Sequence, residues 1–449
     1  MKLELLIISI LAISISCKTK EEWKSRSIYQ ILTDRFARTS DTGKCNLSKY
    51  CGGNFKGIIQ KLDYIKGMGF DAIWISPVIE NYPGSYHGYH FTNLYTINPY
   101  FGTEADFIAL IKACHLKDIW IMIDVVANHV GPVGTDYSKI TPFNKAEHYH
   151  DVCQITDWNN QKMVENCRLA DLPDLKQEND WVTKKLVDWI HDFVAKYKID
   201  GIRIDTIMEV PKWFWDKFRP AAGVFQIGEA FYQKIGYVAD YQRHLDSVFN
   251  YPLYYIINSA FCNGSFRSLE DYWFNQRTTF PAPEYTAVFV ENHDNKRFLN
   301  VCPNQDKFTN AVVFSLLWEG VPVFYYGGEM YYNGGDDPKN REPLWETGYK
   351  KSKLYNILAT VHKLRKKYSL WKQPIVQRYA ETNFYAFTKG NNVLACFTNQ
   401  NGVQYTITYH PFKNGDKLCN ELDPNDCVTV NNNQFVVKMG ALPKLYVKQ

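Results

Sequence analysis

The chain has 449 residues, in which 51 Lys and Arg face 47 Asp and Glu, so the formal net charge is only +4. This near balance excludes the concentrated basic surface of a nucleic-acid-binding protein or of a protein held at a membrane by a polybasic segment. Aromatic residues make up 16% of the chain, which excludes extensive disorder and predicts a large packed core. The length predicts one large domain with a smaller one, and we expect a monomer.

Residues 1–17 have the pattern of a secretory signal peptide, with Lys2, an apolar run over 5–15 and the small residues Ser16 and Cys17. A retained anchor and a lipid-modified Cys17 are the alternatives. No later stretch is apolar for long enough to form a membrane span. Cleavage of the leader therefore predicts secretion, either to the exterior or into the lumen of a digestive or secretory compartment. The glycosylation sequons at Asn46 and Asn263 fit this route.

Ten of the eleven cysteines follow the leader, as expected for a protein of an oxidising compartment. None has the CxxC spacing of a zinc site. Short separations suggest three disulfide pairs, which are Cys45 with Cys51, Cys153 with Cys167, and Cys419 with Cys427. Cys114 lies in an amphipathic helical stretch and is predicted to be a buried free thiol. The pairing of Cys262, Cys302 and Cys396 stays open.

Eight short apolar runs recur along the chain, and each stops abruptly at polar residues. Their ranges are 27–32, 72–75, 119–127, 199–204, 224–227, 247–249, 286–290 and 321–326. Apolar runs of this length without strict alternation are typical of strands buried on both faces. Amphipathic helical stretches lie between them, at 55–68, 106–115 and 181–197 among others. The alternation predicts a (β/α)₈ TIM barrel over 24–130 and 176–370. A doubly wound open sheet is the alternative, although the chain lacks the Gly-rich phosphate loop that such a sheet usually carries.

Two segments depart from the barrel pattern. About fifty residues, 131–179, separate the third strand from its helix, which is too long for an ordinary loop and predicts an inserted domain B over 131–175. After a helix at 351–368 the pattern becomes alternating strands at 384–388, 393–398, 405–409, 427–430 and 435–439. This part predicts a C-terminal antiparallel β-sandwich over 375–449.

Four carboxylates come at the ends of predicted barrel strands: Asp124, Asp205, Glu229 and Asp294. The carboxyl ends of parallel barrel strands meet on one face, where the active sites of such barrels lie. Four carboxylates on one face repel each other, which favours a catalytic role over a structural one. Glycosidic bond cleavage needs an acid for the leaving oxygen and a carboxylate for the developing cation. A metal-assisted hydrolase is the alternative, but the strand ends lack the several histidines that zinc usually takes.

The segments around these carboxylates resemble the four signature regions of the α-amylase family of glycoside hydrolases. They read DVVANH at 124–129, GIRIDT at 201–206, IGE at 227–229 and FVENHD at 289–294, and LPDL at 172–175 resembles a further region of the family's domain B. The residues outside the motifs are similar to secreted fungal-type α-amylases. The resemblance implies that Asp205 is the nucleophile, Glu229 the general acid/base and Asp294 the transition-state stabiliser. Because strand alternation puts Arg203 on the same face as Asp205, its guanidinium can keep that carboxylate charged.

The resemblance also implies substrate contacts and a structural Ca²⁺ ion between barrel and insert. The implied substrate-binding residues are His87, Tyr89, Asp124, His129, Arg203, His293, Asp337 and Arg341. The implied calcium ligands are the side chains of Asn128 and Asp174 and the backbone carbonyls of Glu165 and Glu209. Such an all-oxygen set suits Ca²⁺. The three short-range disulfides agree with the family, whereas a fourth fungal-type bridge is expected to be absent because Ala239 stands near one of its positions.

The chain departs from the family at three positions. Met208 and Glu209 stand where relatives usually carry Lys and His on the leaving-group side, and His90 stands where Trp is common. These changes leave acceptor preference and product length open. We expect a secreted endo-acting, retaining α-amylase acting on starch, glycogen or maltooligosaccharides. The alternatives are an α-glucosidase or transglycosylase of the same family, and a catalytically inactive carbohydrate-binding relative.

Overall fold

A computed structural model describes residues 18–41 and 43–449. The predicted signal peptide, 1–17, lies outside the described residues. Within those residues, no helix combines the length and the apolar character needed to cross a bilayer.

Eight parallel strands form the central sheet, as the sequence predicts. In chain order they are β1 (Ile28–Ile31), β2 (Ala72–Ile75), β3 (Trp120–Val125), β4 (Gly201–Ile204), β5 (Phe225–Gly228), β6 (Ser247–Val248), β7 (Ala287–Val288) and β8 (Val321–Tyr325). The ladder order is β6-β5-β4-β3-β2-β1-β8-β7. An isolated parallel bridge between Phe249 and Ala287 joins the two ends of this order, so the sheet closes into a barrel. The sixth and seventh strands, with two residues each, are the shortest of the barrel, and the sixth also has the shortest apolar run.

Every barrel strand is buried along its whole length, which explains the continuous apolar runs. One hydrophobic cluster fills the barrel interior, and a larger one lies between the strands and the surrounding helices. Trp23 belongs to the inner cluster, where its ring packs against Trp120 and stacks on Phe225 at centroid distances of 5.1 and 5.3 Å. Since the interior is packed, chemistry is confined to the ends of the strands.

The helices lie outside the sheet, and the predicted ones form within two residues of their expected ends. The described helices are Lys20–Trp23, Thr33–Phe36, Phe55–Gly67, Glu104–Leu116, Gln161–Asn166, Asp180–Tyr197, Lys212–Ala222, Ile235–Tyr241, Tyr251–Cys262, Arg267–Thr279, Phe298–Val301, Gln305–Leu317 and Lys353–Lys367. Side-chain caps begin several of them. Asn54 accepts a hydrogen bond from the Gly57 amide, and Thr103 forms a capping box with Asp106.

Two further strands, Ile79–Asn81 and Phe91–Ile97, form an antiparallel pair between β2 and β3. The long segment after β3 contains the short helix Gln161–Asn166 and 3₁₀ turns and packs back on the barrel, where Val130 donates to the Pro173 carbonyl. The boundaries of the inserted domain stay a prediction.

The C-terminal region is antiparallel, as predicted, and contains more strands than the sequence pattern indicates. They are β9 (Ile375–Ala380), β10 (Phe384–Lys389), β11 (Val393–Thr398), β12 (Gln404–Ile407), β13 (Lys417–Asn420), β14 (Asp423–Thr429), β15 (Phe435–Lys438) and β16 (Lys444–Lys448). A six-stranded sheet, β9-β10-β11-β16-β13-β14, and the pair β12-β15 pack around one cluster that includes Phe384, Ile407 and Phe435. The sequence prediction missed β9, β13 and β16, because their polar residues interrupt the pattern and their strand character depends on long-range pairing.

Four disulfides are formed among the described cysteines. Three are the predicted pairs, Cys45–Cys51, Cys153–Cys167 and Cys419–Cys427, and the fourth joins Cys262 to Cys302. Cys114 is a buried free thiol, as expected, and Cys396 is another.

Candidate active site

The predicted catalytic carboxylates lie at one end of the barrel, because each follows or ends a parallel strand. Asp205 directly follows β4 and Glu229 directly follows β5. The turn after each strand is sterically defined. Thr206 has φ +49°, which bends the chain away immediately after Asp205. A Cβ on Gly228 would lie 2.4 Å from Leu245 Cδ1 and 2.7 Å from Ile207 Cδ1, so glycine lets these buried side chains pack closely against the chain just before Glu229.

The Arg203 guanidinium binds three carboxylates at the floor of the site. Its Nη1 lies 3.0 Å from Asp124 Oδ1 and 2.5 Å from Asp205 Oδ1, and its Nη2 lies 2.7 Å from Glu229 Oε2. The arginine is 1% exposed. Because one planar group holds Asp205 on one nitrogen and Glu229 on the other, the two carboxyl groups lie side by side.

The same surroundings move the pKa values of these two carboxyl groups in opposite directions. Burial favours the neutral form of Asp205, but the charge and hydrogen bond of Arg203, together with His129 and His293, outweigh burial and lower the pKa below its usual value. Burial raises the pKa of Glu229 well above its usual value, since the negative charges of Asp205 and Asp294 oppose the effect of Arg203 there. These opposite shifts favour an ionised Asp205 beside a protonated Glu229, the combination that glycosidic cleavage needs.

Asp294, the third predicted catalytic carboxylate, lies on the β7 side of the site. Its Oδ2 lies 3.3 Å from His293 Nε2, and its Oδ1 lies 3.5 Å from Arg341 Nη2. Arg341 also pairs with Asp337 at 3.0 Å, so these two predicted substrate contacts form one ion-paired group at the rim. Asp294 is the more accessible carboxylate, with 30% of its side chain exposed.

A hydrogen-bonded layer beneath the carboxylates holds Asp124 and His293 in place. Asp124 Oδ2 accepts from the Trp74 indole at 3.0 Å and from the Tyr89 hydroxyl at 2.8 Å. The same hydroxyl lies 2.6 Å from His293 Nε2, and the Tyr89 ring stacks on the His293 ring at 5.3 Å. Gln30 from β1 contacts the other ring nitrogen of His293 at 2.7 Å. Burial lowers the pKa of His293 well below its usual value, and the nearby arginines add to the effect, so the ring is neutral.

A cleft of about 700 Å³ opens above this layer. Eight predicted site residues line it: His87, Tyr89, His129, Asp205, Glu229, Asp294, Asp337 and Arg341. Asp124, Arg203 and His293 do not line the cleft; they lie in the supporting layer. The departures from the family pattern, His90, Met208 and Glu209, are also in the cleft wall.

Sequence reasoning missed the aromatic walls of the cleft. Trp158, Phe231 and Tyr255 line it and are 44%, 42% and 40% exposed, respectively, although large aromatic side chains are usually buried. Tyr232 lies beside them. Such exposed rings suit the flat apolar faces of sugars. The only sequence indication was the high aromatic content, which does not distinguish a cleft residue from a core residue.

Three oxygen atoms face one another where the segment after β3 meets the barrel. The oxygen end of the Asn128 amide faces Asp174 Oδ1 at 2.9 Å and the Glu209 carbonyl oxygen at 3.1 Å, and only exchange of its amide N and O would turn these into hydrogen bonds. Glu165 is tied to the same region, because Gln161 donates both to its side chain at 2.7 Å and to the Met208 carbonyl at 3.0 Å. No group of three or more His, Cys, Asp or Glu side chains suited to a metal occurs within residues 18–41 and 43–449. This candidate site instead combines an amide, one carboxylate and the main-chain carbonyl of Glu209.

Comparison with known proteins gives consistent matches over most of the chain. Residues 30–373 match the family described as "Alpha amylase, catalytic domain". The α-amylase of Saccharomycopsis fibuligera is 38% identical over 95% of this chain and 92% of its own length. Alpha-amylase 1 of Schwanniomyces occidentalis is 38% identical over 95% of this chain and 90% of its own length. Among solved structures, an α-amylase from Malbranchea cinnamomea superposes with a TM-score of 0.92 at 36% identity, covering 96% of this chain and 98% of that one.

Proposed function

The chain belongs to the α-amylase family of glycoside hydrolases, and from that premise we propose that its cleft hydrolyses internal α-1,4-glucosidic bonds of starch, glycogen and maltooligosaccharides with retention of configuration. One observation carries the proposal. The Arg203 guanidinium holds Asp205 and Glu229 side by side, with the pKa of the first lowered and that of the second raised. A retaining glycosidase needs two carboxyl groups close together in opposite protonation states.

In the first step, protonated Glu229 gives its proton to the glycosidic oxygen while the Asp205 carboxylate attacks the anomeric carbon. The bond to the leaving sugar breaks, and a glycosyl–Asp205 ester forms. Glu229, now ionised, then takes a proton from water as that water attacks the ester, which frees the sugar and restores both carboxyl groups. Asp294 binds sugar hydroxyls and stabilises the positive charge that develops on the ring.

A linear glucan can bind in the cleft on both sides of these carboxylates. On one side lie His87, Tyr89 and the Asp337–Arg341 pair, which we assign to the sugars that become bound to the enzyme. On the other side lie Trp158, Met208, Glu209, Phe231 and Tyr232, which we assign to the leaving sugars. Stacking on aromatic rings and hydrogen bonds from charged groups are the two interactions that hold carbohydrate in such a cleft.

Incubation of the protein with soluble starch, followed by a reducing-sugar assay and product chromatography, tests the function directly. We expect mixed short oligosaccharides and a rapid loss of iodine staining, since an open cleft with sugar contacts on both sides admits internal bonds. Glucose as the only product would identify an α-glucosidase, and longer products from maltooligosaccharides would identify a transglycosylase. Binding to starch without any release of reducing sugar would identify an inactive relative.

We also propose that Asn128, Asp174 and the carbonyls of Glu165 and Glu209 hold a Ca²⁺ ion. The residues fit the ion, because the Asn128 amide lies 2.9 Å from Asp174 Oδ1 and 3.1 Å from the Glu209 carbonyl oxygen, and Ca²⁺ prefers amide, carboxylate and carbonyl oxygens as ligands. Bound there, the ion would supply positive charge that fixes the segment after β3 against the turn after β4. The role is structural.

Removal of calcium is expected to lower the melting temperature by about 5 °C or more, because a ligand that binds only the folded state stabilises it. Differential scanning fluorimetry with and without EDTA measures the shift, and added Ca²⁺ should reverse it. Asp174→Asn should abolish the response to EDTA, while Asp171→Asn, three residues away and outside the ligand set, should retain it. An unchanged melting temperature in the unmodified protein would assign the three oxygens to an amide hydrogen bond instead.

We further propose that the protein is secreted and acts as a monomer, with glycans at Asn46 and Asn263. Four disulfides support an oxidising compartment. Both sequons lie at the surface, since the side chains of Asn46 and Asn263 are exposed. We also propose the domain division that the sequence predicts, with barrel segments 24–130 and 176–370, an insert at 131–175 and a C-terminal domain at 375–449.

A further inference from the structure

A second cavity, of about 360 Å³, opens beside the catalytic cleft. Tyr255 and Asp294 line both spaces, so the second cavity adjoins the cleft at one of the three assigned carboxylates. We call it the side arm. It lies between the helix Tyr251–Cys262 and the segment 294–302 that follows β7. Its volume is within the range of ~300–1,000 Å³ usual for small-molecule sites.

The side arm is lined by aromatic rings and by a polar side chain with an unused hydrogen-bond acceptor. Tyr254 and Tyr255 form one wall, with ring centroids 5.1 Å apart and the planes nearly perpendicular. The Asn258 amide nitrogen donates to the carbonyls of Tyr254 and Val290, each at 2.9 Å, which fixes the side chain. Among the described contacts, the Asn258 side-chain oxygen accepts no hydrogen bond, which leaves it as an acceptor for a ligand.

The rim of the side arm carries both charges. Lys296 Nζ lies 3.4 Å from Asp336 Oδ2, and both side chains are largely exposed. Phe298 and the Cys262–Cys302 disulfide add apolar surface, and Val301 lies at the solvent side with 67% exposure. The cavity therefore offers flat rings, hydrogen-bond donors and acceptors, and one charged group of each sign. This combination suits a neutral, polyhydroxylated ligand such as a sugar better than it suits an ion or a lipid.

The position of the side arm argues for a branch rather than for a longer linear chain. The cleft already has sugar contacts for both directions of a linear glucan. Tyr89 and Arg341 lie on the side of β2 and β8, and Glu209 and Phe231 lie on the side of β4 and β5. The side arm extends in a third direction, along the segment after β7, and shares Asp294 and Tyr255 with the cleft. A linear chain cannot follow three directions at once, whereas a chain that carries a branch can.

We propose that the side arm binds the side chain of an α-1,6-branched α-glucan while the main chain occupies the cleft. The inference rests on the proposed hydrolysis of α-1,4 bonds and extends it to substrate class. Branch points close to the scissile bond are then accommodated, and branched polymers such as glycogen are cut near their branches as well as between them.

Val301→Trp tests the proposal by filling the side arm without touching the cleft. We expect the ratio of kcat/KM on glycogen to kcat/KM on linear amylose to fall about tenfold, the equivalent of one or two sugar hydrogen bonds, with activity on amylose unchanged within twofold. Val436→Trp is the matched control, because Val436 is an exposed valine on β15, outside both cavities. Product analysis of glycogen digests should show larger branched limit dextrins from Val301→Trp.

Lys296→Ala is a second variant, for the case that the tryptophan disturbs folding. It removes a hydrogen-bond donor at the rim of the side arm. It should lower the same ratio, by a smaller factor. An equal loss on both polymers would mean that a linear chain uses the side arm, and an unchanged ratio in both variants would mean that no sugar binds there; either result overturns the proposal. Failure of the unmodified protein to cut amylose would instead contradict the proposed function itself.

Discussion

Asp205→Asn and Glu229→Gln are each expected to lower kcat on starch by about 10³-fold or more while the protein stays folded. Asp205→Asn removes the charge that attacks the anomeric carbon. Asp124 also contacts Arg203 Nη1, but it does not line the cleft and so cannot replace Asp205. Glu229→Gln removes the proton that the leaving oxygen must receive. Initial rates of reducing-sugar release at saturating starch measure both losses.

The two variants should differ in one respect. A substrate with a good leaving group, such as an activated aryl maltooligosaccharide, needs little protonation, so it should restore much of the first step in Glu229→Gln and none in Asp205→Asn. Asp216→Asn, on the exposed side of the helix Lys212–Ala222, is the matched control and should leave kcat unchanged. Near-normal starch hydrolysis by Asp205→Asn or Glu229→Gln would contradict the assigned roles.

Much of this site could be predicted from the sequence because its residues are tied to strand ends. A strand buried on both faces is a continuous apolar run, and the first polar residues after it lie at the carboxyl edge of the barrel. Asp205 and Glu229 follow their runs at once, so their meeting at one end of the barrel follows from topology alone. The position of Arg203, two residues before Asp205, likewise predicts a shared face.

The rest of the site depends on contacts between segments that are distant in the chain. The bond from Arg203 to Glu229 crosses from β4 to the end of β5, and the local pattern of either strand does not show it. In the sequence, Trp158 and Tyr255 cannot be distinguished from core residues, because composition does not show whether an aromatic ring is buried or faces the cleft. The side arm follows from the distance between a helix and a loop, which has no local sequence pattern.

Arg203→Gln is expected to give the largest combined effect on stability and on activity of any single change in the supporting layer. The arginine is 1% exposed and pairs with Asp124, Asp205 and Glu229, so its loss leaves buried carboxylates without a counter-charge. Breaking a buried ion pair in this way costs about 3–5 kcal/mol of the free energy of unfolding. Chemical denaturation followed by tryptophan fluorescence measures the loss.

The same substitution should move the acid limb of the pH–activity profile to higher pH. In the unmodified protein, Arg203 lowers the pKa of Asp205, so the nucleophile stays ionised, and active, as the pH falls below the usual range for an aspartate. Without the guanidinium, only His129 and His293 still oppose burial, so the pKa rises, Asp205 becomes protonated at a higher pH and activity is lost sooner on acidification. Arg297→Gln is the matched control: Arg297 is also fully buried and pairs with Glu291 at 2.8 Å, away from Asp205 and Glu229. It should lose stability by a similar amount and keep the acid limb where it is. If the limb moves equally in both variants, the shift comes from general loosening of the fold and not from the charge of Arg203.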